Sequence, residues 1–410
     1  METANRTQVQ LYPCDLEGLL EADHPARMVW RFTEGLPLQP FYDAIMARQG
    51  HAGRPAVDPK ILIALWLYAT IEGVGSAREL DRLCEHHDAY RWLCGGVSVN
   101  YHTLSDFRVS HQQELDGLMT QSIAVLLHRN VVKLATVAQD GMRVRTSAGA
   151  GSFRRRASLK ECLKRARKQV ERTARQAQGE VTARQAAAQQ RVARERLERV
   201  EQALEELASV EATKARQKRP SEPRASTTDP KARVMKMADG GFRPAYNVQF
   251  ATDVDSRVIV GVEVTNSGSD RGQLIPMLDQ IEARTGRRAD NYLADGGFLT
   301  RETITEADGR GVVVYGPVQK SKNERNPATP CRGDSPAVKA WRERIATQQA
   351  KALYRLRAST AEWVNADTRT HRTMSSIGLR GIGKARSYAM WAALAHNMLR
   401  SFKLLPELTH

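Results

Sequence analysis

Hydrophobic positions along the first 128 residues recur at helical spacing. Ile61, Leu62, Leu65, Trp66 and Tyr68 share a helix face, and the pattern resumes over 76–92 and 103–126, separated by the glycine-containing run CGGVSVN. Ahead of the first of these stands GRPAVDPK, whose Pro55 and Pro59 stop any earlier helix while Asp58 caps the next. Residues 1–128 are therefore expected to form an all-α domain. The run KLATVAQDGMRV (133–144) has strand composition, and Asp140 is expected at its end with a glycine behind it.

From about 153 to 219 Arg, Lys, Glu, Gln and Ala dominate. Ala193, Leu197, Val200, Leu204 and Leu207 alternate steps of four and three, the seam of a coiled-coil-like helix or hairpin. Its partner is either the basic helix of about 158–178 folding back or the same helix of a second protomer. The basic stretch FRRRASLKECLKRARK is either a phosphate-tracking face or a solvated one. QKRPSEPRASTTDPKAR follows as a linker. Period-two alternation then appears: AYNVQFATD puts Tyr246, Val248 and Phe250 on one face, and VIVGVEVT does so with Val258, Val260, Val262 and Val264, with VDSR as the turn between them. Asp270 is expected to cap a helix over 271–284, NYLAD and GVVVYGP to be strands, and helices to close the chain over 336–370 and 382–402.

Three consecutive strands followed by alternating helices and strands predict a mixed α/β sheet of ribonuclease H-like type. The fold class is thus α/β with an all-α N-terminal domain and a helical insertion. The boundaries are 1–128 for the helical domain, 129–150 plus 233–410 for the catalytic domain, and 151–232 for the insertion and linker.

Composition narrows the partners. The formal charge of +16 in a chain of 410 residues points to a polyanion, with nucleic acid first. Arg78, Arg82, His86 and Arg91 on the N-terminal helices are candidate contacts for DNA ends. No apolar run is long enough to span a bilayer, and METANRTQVQLYP lacks the features of a secretory signal, so a cytoplasmic location is expected. The five cysteines are odd in number and have no CxxC pair, which argues against a disulfide framework; Cys84, His87 and Cys94 lack the fourth ligand of a structural zinc site.

Phosphodiester chemistry on two hard cations needs converging carboxylates. QDG and LADGGF each put an Asp after an apolar run with glycine beside it, which makes Asp140 and Asp295 the first candidates. Late in the chain YRLRASTAEWVNADTR carries Tyr354, Arg357, Glu362 and, seven beyond the glutamate, Arg369. This stretch resembles the Tyr-Arg-Glu-Lys signature of one branch of the DDE transposases of bacterial insertion sequences. DHPAR (23–27), GRPAVDPKILIALWLY (53–68), RPAYNVQ (243–249), LADGGF and AHNML (395–399) resemble the same family. Arg369 stands where that family more often has Lys, and Phe298 where it more often has Tyr.

The resemblance implies that Asp140, Asp295 and Glu362 are catalytic and hold two Mg2+, with Mn2+ as an alternative. It further implies that Tyr354, Arg357 and Arg369 touch DNA, and that the protein cuts terminal inverted repeats and joins them to target DNA. Synapsis of two ends implies a homodimer or higher oligomer. The alternatives are a catalytically inactive, regulatory DNA-binding derivative and a plain ribonuclease H-like nuclease. Tyrosine or serine recombinase chemistry is disfavoured, because no nucleophile stands among Arg and His beyond the faint HRT at 371–373.

Overall fold

A computed structural model describes residues 15–45, 55–176, 182–216, 222–318 and 329–408. The N-terminal leader, Cys14, the Gly53–Arg54 start of the GRPAVDPK run and the first residues of the 217–233 linker lie outside them.

Among the described residues seven α-helices come first: α1 Pro25–Glu34, α2 Gln39–Asp43, α3 Pro59–Ile71, α4 Ala77–His86, α5 Asp88–Cys94, α6 Tyr101–Ser110 and α7 Gln112–His128. Asp58 caps α3 as expected, its Oδ1 accepting from the Lys60 amide at 2.8 Å. Every residue of α3 from Pro59 to Thr70 except Lys60 is buried, so α3 is the central helix of this region. The expected 76–92 and 103–126 helices are each two. The first breaks at His87, whose ring nitrogen Nδ1 accepts from the Ala89 amide at 3.3 Å and starts α5, and the second breaks at His111. Histidine, a less common N-cap than Ser or Asp, does the capping at His87.

The rest of the chain contributes β1 Thr136–Thr146, β2 Phe153–Arg154, α8 Arg156–Gln176, α9 Ala183–Arg216, β3 Ala225–Ser226, β4 Arg233–Lys236, β5 Phe242–Asp253, β6 Ile259–Thr265, α10 Leu274–Thr285, β7 Asn291–Ala294, α11 Arg301–Gly309, β8 Val313–Tyr315, α12 Pro336–Ala346, α13 Gln348–Arg357, a π-helical turn at Ala358–Glu362, α14 Trp363–His371, β9 Ser376–Ile377 and α15 Ile382–Leu404. The main sheet runs β4-β5-β1-β7-β8, with β6 paired to β5 and β9 to the end of β1. β5 pairs antiparallel with β1 on one side and with β4 and β6 on the other, whereas β1, β7 and β8 run parallel. The VDSR segment joins β5 to β6, as the alternation predicted.

Two expectations shift. β1 continues six residues past Asp140, because Gly141 stays in the ladder opposite Gln249 and pairing with β5 persists to Arg145. Asp270 does not cap α10: that helix starts at Leu274 behind Gln273, and the Asp270 carboxylate turns to the sheet.

The charged insertion folds back on itself. α8 and α9 pair antiparallel through Arg156 with Glu211 (3.1 Å), Arg167 with Glu201 (3.3 Å) and Arg196 with Gln169 (3.0 Å). Ala193, Val200 and Leu207 of the predicted seam are buried, and Leu159 of α8 lies in one small core with Ala203 and Leu207. The partner helix left open by the seam is thus in the same chain.

One hydrophobic core runs from α1 through α7 into the sheet. α15 joins the two parts, buried almost continuously from Ala385 to Met398, and Asn397 holds both backbone polar groups of Ile259 on β6 at 2.8 Å each. Arg284 on α10, itself buried, adds an ion pair to the more exposed Asp116 of α7 at 2.6 Å. Among the described residues no helix is long and apolar enough to cross a membrane.

Candidate active site

The parallel strand β7 stops at Ala294, opposite Gln139, so Asp140 is the first residue of β1 without a neighbour on that side. Asp295 follows β7 immediately. The two aspartates therefore each follow the last paired residue of the β1·β7 ladder, on adjacent strands, although only Asp295 and not Asp140 ends its strand. Side chains alternate across β1, which sends Asp140 to the same face as Ala138. There Ala138 packs with Leu293 and with Ala361 of the π turn, bringing the late helices over the aspartate.

Arg357, at the end of α13, lies between two acids. Its Nη2 donates to Glu362 Oε1 at 2.7 Å and its Nη1 is 3.3 Å from Asp140 Oδ1. Five residues separate Arg357 from Glu362, which in an α-helix would put them about 140° apart around the axis. The π-helical turn at Ala358–Glu362 makes a five-residue step close to one full turn, and so places both side chains over Asp140. The expected 336–370 helix is accordingly three α-helices and this turn.

Downstream, Glu362, Asn365, Ala366 and Arg369 follow helical spacing and line one cleft with Asp140, Gly141 and Arg143. Asn365 Nδ2 donates to Asp140 Oδ2 at 3.0 Å. Arg369 Nη2 donates to the Arg143 carbonyl oxygen at 3.3 Å. The guanidinium of Arg357 also lies 5.8 Å from the centre of the Tyr354 ring.

Burial raises the Asp140 carboxyl above its ordinary range; Arg357 and the Gly141 amide pull it down, while Asp270 and Glu362 push it further up. Tyr354 is likewise raised, first by burial and then by the charges of Asp295 and Asp140, against the pull of Arg357. For Arg357 burial works against its charge, but Tyr354, Asp140 and Glu362 outweigh it and hold the guanidinium more basic than usual.

The structure thus brings Asp140, Glu362, Tyr354, Arg357 and Arg369 together, while Asp295 does not line their cleft and is exposed, its Oδ1 accepting from the Gly296 amide at 2.7 Å. The carboxylate oxygens suit a hard divalent cation in kind. Their spacing is another matter, since no three His, Cys, Asp or Glu side chains of the described residues close on one point, and Arg357 supplies the positive charge between Asp140 and Glu362.

Two contributors escaped the sequence reading. Asn365 stands one turn after Glu362, a spacing that would have marked it. Asp270 sits against the opposite face of β1, where its Oδ1 accepts from Asn247 Nδ2 and Gln249 Nε2 at 2.7 Å each, and its Oδ2 is 3.7 Å from an Arg143 nitrogen. The RPAYNVQ run thereby gains a physical role. Gly141 is required there: a Cβ at that position would lie 2.3 Å from Asp270 Oδ1. In the AHNML run, His396 Nδ1 meets Asp367 of α14 at 3.1 Å and Nε2 meets the Arg257 carbonyl oxygen at 2.9 Å, anchoring the helix behind Glu362. Phe298 is fully buried, a position that suits the apolar ring.

The family model described as Transposase DDE domain matches residues 203–398, and the Transposase domain DUF772 matches residues 14–110. Asp295 and Glu362 lie in the first of these; Asp140 lies between the two. No curated protein and no solved structure matches the chain significantly. A mixed sheet with a helical N-terminal region is consistent with a DDE transposase fold, and the two family matches support a DDE transposase, an enzyme that acts on DNA.

Proposed function

We propose that the chain is an insertion-sequence transposase of the branch with the Tyr-Arg-Glu-Lys signature, built on a ribonuclease H-like sheet, that cuts the terminal inverted repeats of its element and transfers them into target DNA. The observation that carries this is the clasp at the uncovered step of β1. Asp140 and Glu362, far apart in sequence, share one guanidinium, and a π turn puts the glutamate there.

Asp140, Asp295 and Glu362 are the residues that would hold divalent cations, two Mg2+ or Mn2+ in this reading. Bound there, the cations would supply Lewis-acid stabilisation of the attacking and leaving oxygens. The protein's own contribution is positional. Asn365 fixes the rotamer of Asp140 through one hydrogen bond. Arg357 pairs with the half-buried Asp140 and the exposed Glu362, and when released from them it stands beside Tyr354 at the cleft, free to meet a DNA phosphate bidentately. Arg369, one face along α14, extends the positive lining.

Residues 1–128 are assigned to recognition of DNA ends, 129–150 with 233–410 to catalysis, and 151–232 to an insertion available for contact between protomers of a dimer or larger assembly. The test is incubation of the protein with Mg2+ and labelled DNA carrying the element's own ends, beside Glu362→Gln. Cleavage and joining by the wild type alone is expected. Cleavage without joining would favour the plain nuclease, and equal cleavage by both proteins would remove Glu362 from the site.

A further inference from the structure

Among the described residues the other buried arginine, Arg284, has an acidic partner in Asp116, and the half-buried Arg357 and Arg342 are paired likewise, with Asp140 and Glu362 and with Asp334. Arg108 on α6 is the exception. It is 5% exposed, yet none of the described carboxylates forms an ion pair with it. Its Nη1 donates to the Gly75 carbonyl oxygen at 2.6 Å, and its guanidinium lies 4.2 Å from the Trp66 ring centre and 5.3 Å from that of Tyr388. Nε is buried with no hydrogen-bond partner. A buried cation without a counter-charge is costly, and burial pushes Arg108 down to about 10.

This side chain lines a solvent-open cleft of about 610 Å³ between α4, α6 and the 373–379 loop. The first turn of the ten-residue helix α4 also lines it, through Ser76, Ala77 and Arg78. Early amides of a helix lack intrahelical partners and carry the positive end of the helix dipole. The other charged groups facing the cleft are His102 and Asp106. Arg82 and Arg91 are paired with Glu79 and Asp88, and His86 lies near Glu85, whereas Arg78 lays its guanidinium over the Tyr101 ring at 5.2 Å.

The cleft also has a defined place relative to the acids. Ser376 in its wall pairs with Arg145 of β1, five residues beyond Asp140, or about 17 Å at roughly 3.4 Å per residue. That distance is the axial rise of about five base pairs of B-form DNA.

We propose that this cleft is a second, non-catalytic site for a DNA backbone phosphate, in which a phosphodiester oxygen meets Arg108 and the N-terminus of α4 while Arg78 closes over it. The assignment to DNA rests on the transposase reading; the anion site itself rests on the unmatched guanidinium. A phosphate here would fix the register of the duplex and carry no sequence information.

Two measurements separate the possibilities. Inorganic phosphate, at ionic strength matched with chloride, is expected to raise the thermal midpoint of the wild type and to leave that of Arg108→Met unmoved. In Mg2+-free titrations with duplex DNA, Arg108→Met and Arg78→Gln are each expected to bind less tightly, with the slope of log affinity against log salt shallower by about 0.9 for one lost phosphate contact. A folded Arg108→Met protein with the wild-type slope overturns the proposal. Should that variant fail to fold, the exposed Arg78→Gln decides by the same slope. Protection by inorganic phosphate with unchanged DNA slopes overturns the assignment to DNA and leaves a free-phosphate site. A wild type that binds no duplex at all sinks the transposase reading, independently of the phosphate result.

Discussion

The two faces of β1 at residues 139–143 are built on opposite principles. On one, Gln139, Gln249, Asn247, Asp270 and Tyr292 form a buried chain in which amides and a phenol donate in turn: Tyr292 to Gln139 at 2.8 Å, Gln139 to Gln249 at 3.1 Å, and both Gln249 and Asn247 to Asp270. On the other, Asp140, Glu362 and Arg357 oppose full charges across a cleft that solutes can enter. Amides and a phenol in a chain that converges on one carboxylate make a rigid floor. Charges held by a long, releasable arginine make a place where another cation or a phosphate can substitute. The lesson is that one strand separates the part of the site that must not move from the part that must exchange partners.

The sharpest way to break this comparison is Asp140→Asn. Loss of DNA cleavage by about a thousandfold or more is expected, as for removal of several kcal/mol of transition-state stabilisation. Stability should move the other way. Asp140 has its folded pKa raised by burial, so the protonated form is the one the fold favours; that contribution is present below the unfolded pKa and lost as pH rises through the folded one. At neutral pH the uncharged Asn therefore removes a penalty, and the denaturant midpoint should not fall. A variant that lost both cleavage and stability would show that Asp140 belongs to the rigid floor instead.

Next in size is Gly141→Ala, one residue along and on the opposite face. The new methyl would lie 2.3 Å from Asp270 Oδ1 and 2.4 Å from Gln249 Nε2, and relieving that overlap should cost about 1–3 kcal/mol in chemical unfolding. An unchanged midpoint would mean that the 266–273 loop yields freely, and the floor would not be rigid.

How much of this could be read from residue order follows from which contacts are local. Asp58 before α3, the seam on α9 and the alternation of β5 and β6 are patterns of nearest neighbours, and they were legible. The break at His87 was not, because a histidine capping its own following helix leaves no periodic mark. Neither was the length of β1, where the Asp-Gly pair reads locally as a turn yet is held in the ladder by β5. Asp270 looked like a cap for the same local reason; its true partners, Asn247 and Gln249, lie across the loop on another strand. The candidate acids were picked out by their flanking glycines and the late signature. Their mutual geometry depended on the π turn, which five-residue spacing alone does not announce.

The smallest effect, at Asp367, tests whether charge on the late helices is always a liability. Asp367 is on α14, just after the turn that carries Glu362, but turns away from the cleft, toward His396 and Arg372. Burial works to raise its pKa, yet the His396 hydrogen bond and the charges of Arg372, His396 and His371 outweigh burial and hold it below the ordinary carboxylate range. Its sign is therefore opposite to that of Asp140. A depressed folded pKa contributes stability that is present above the unfolded value, near 4, and is lost as pH falls through the folded one. Asp367→Asn should be less stable than the wild type by about 1 kcal/mol at neutral pH, and the two urea midpoints should converge below about pH 4. A gap that persisted undiminished to pH 3 would assign the loss to packing, and the pairing of a destabilising acid facing the cleft with a stabilising one behind it would no longer hold.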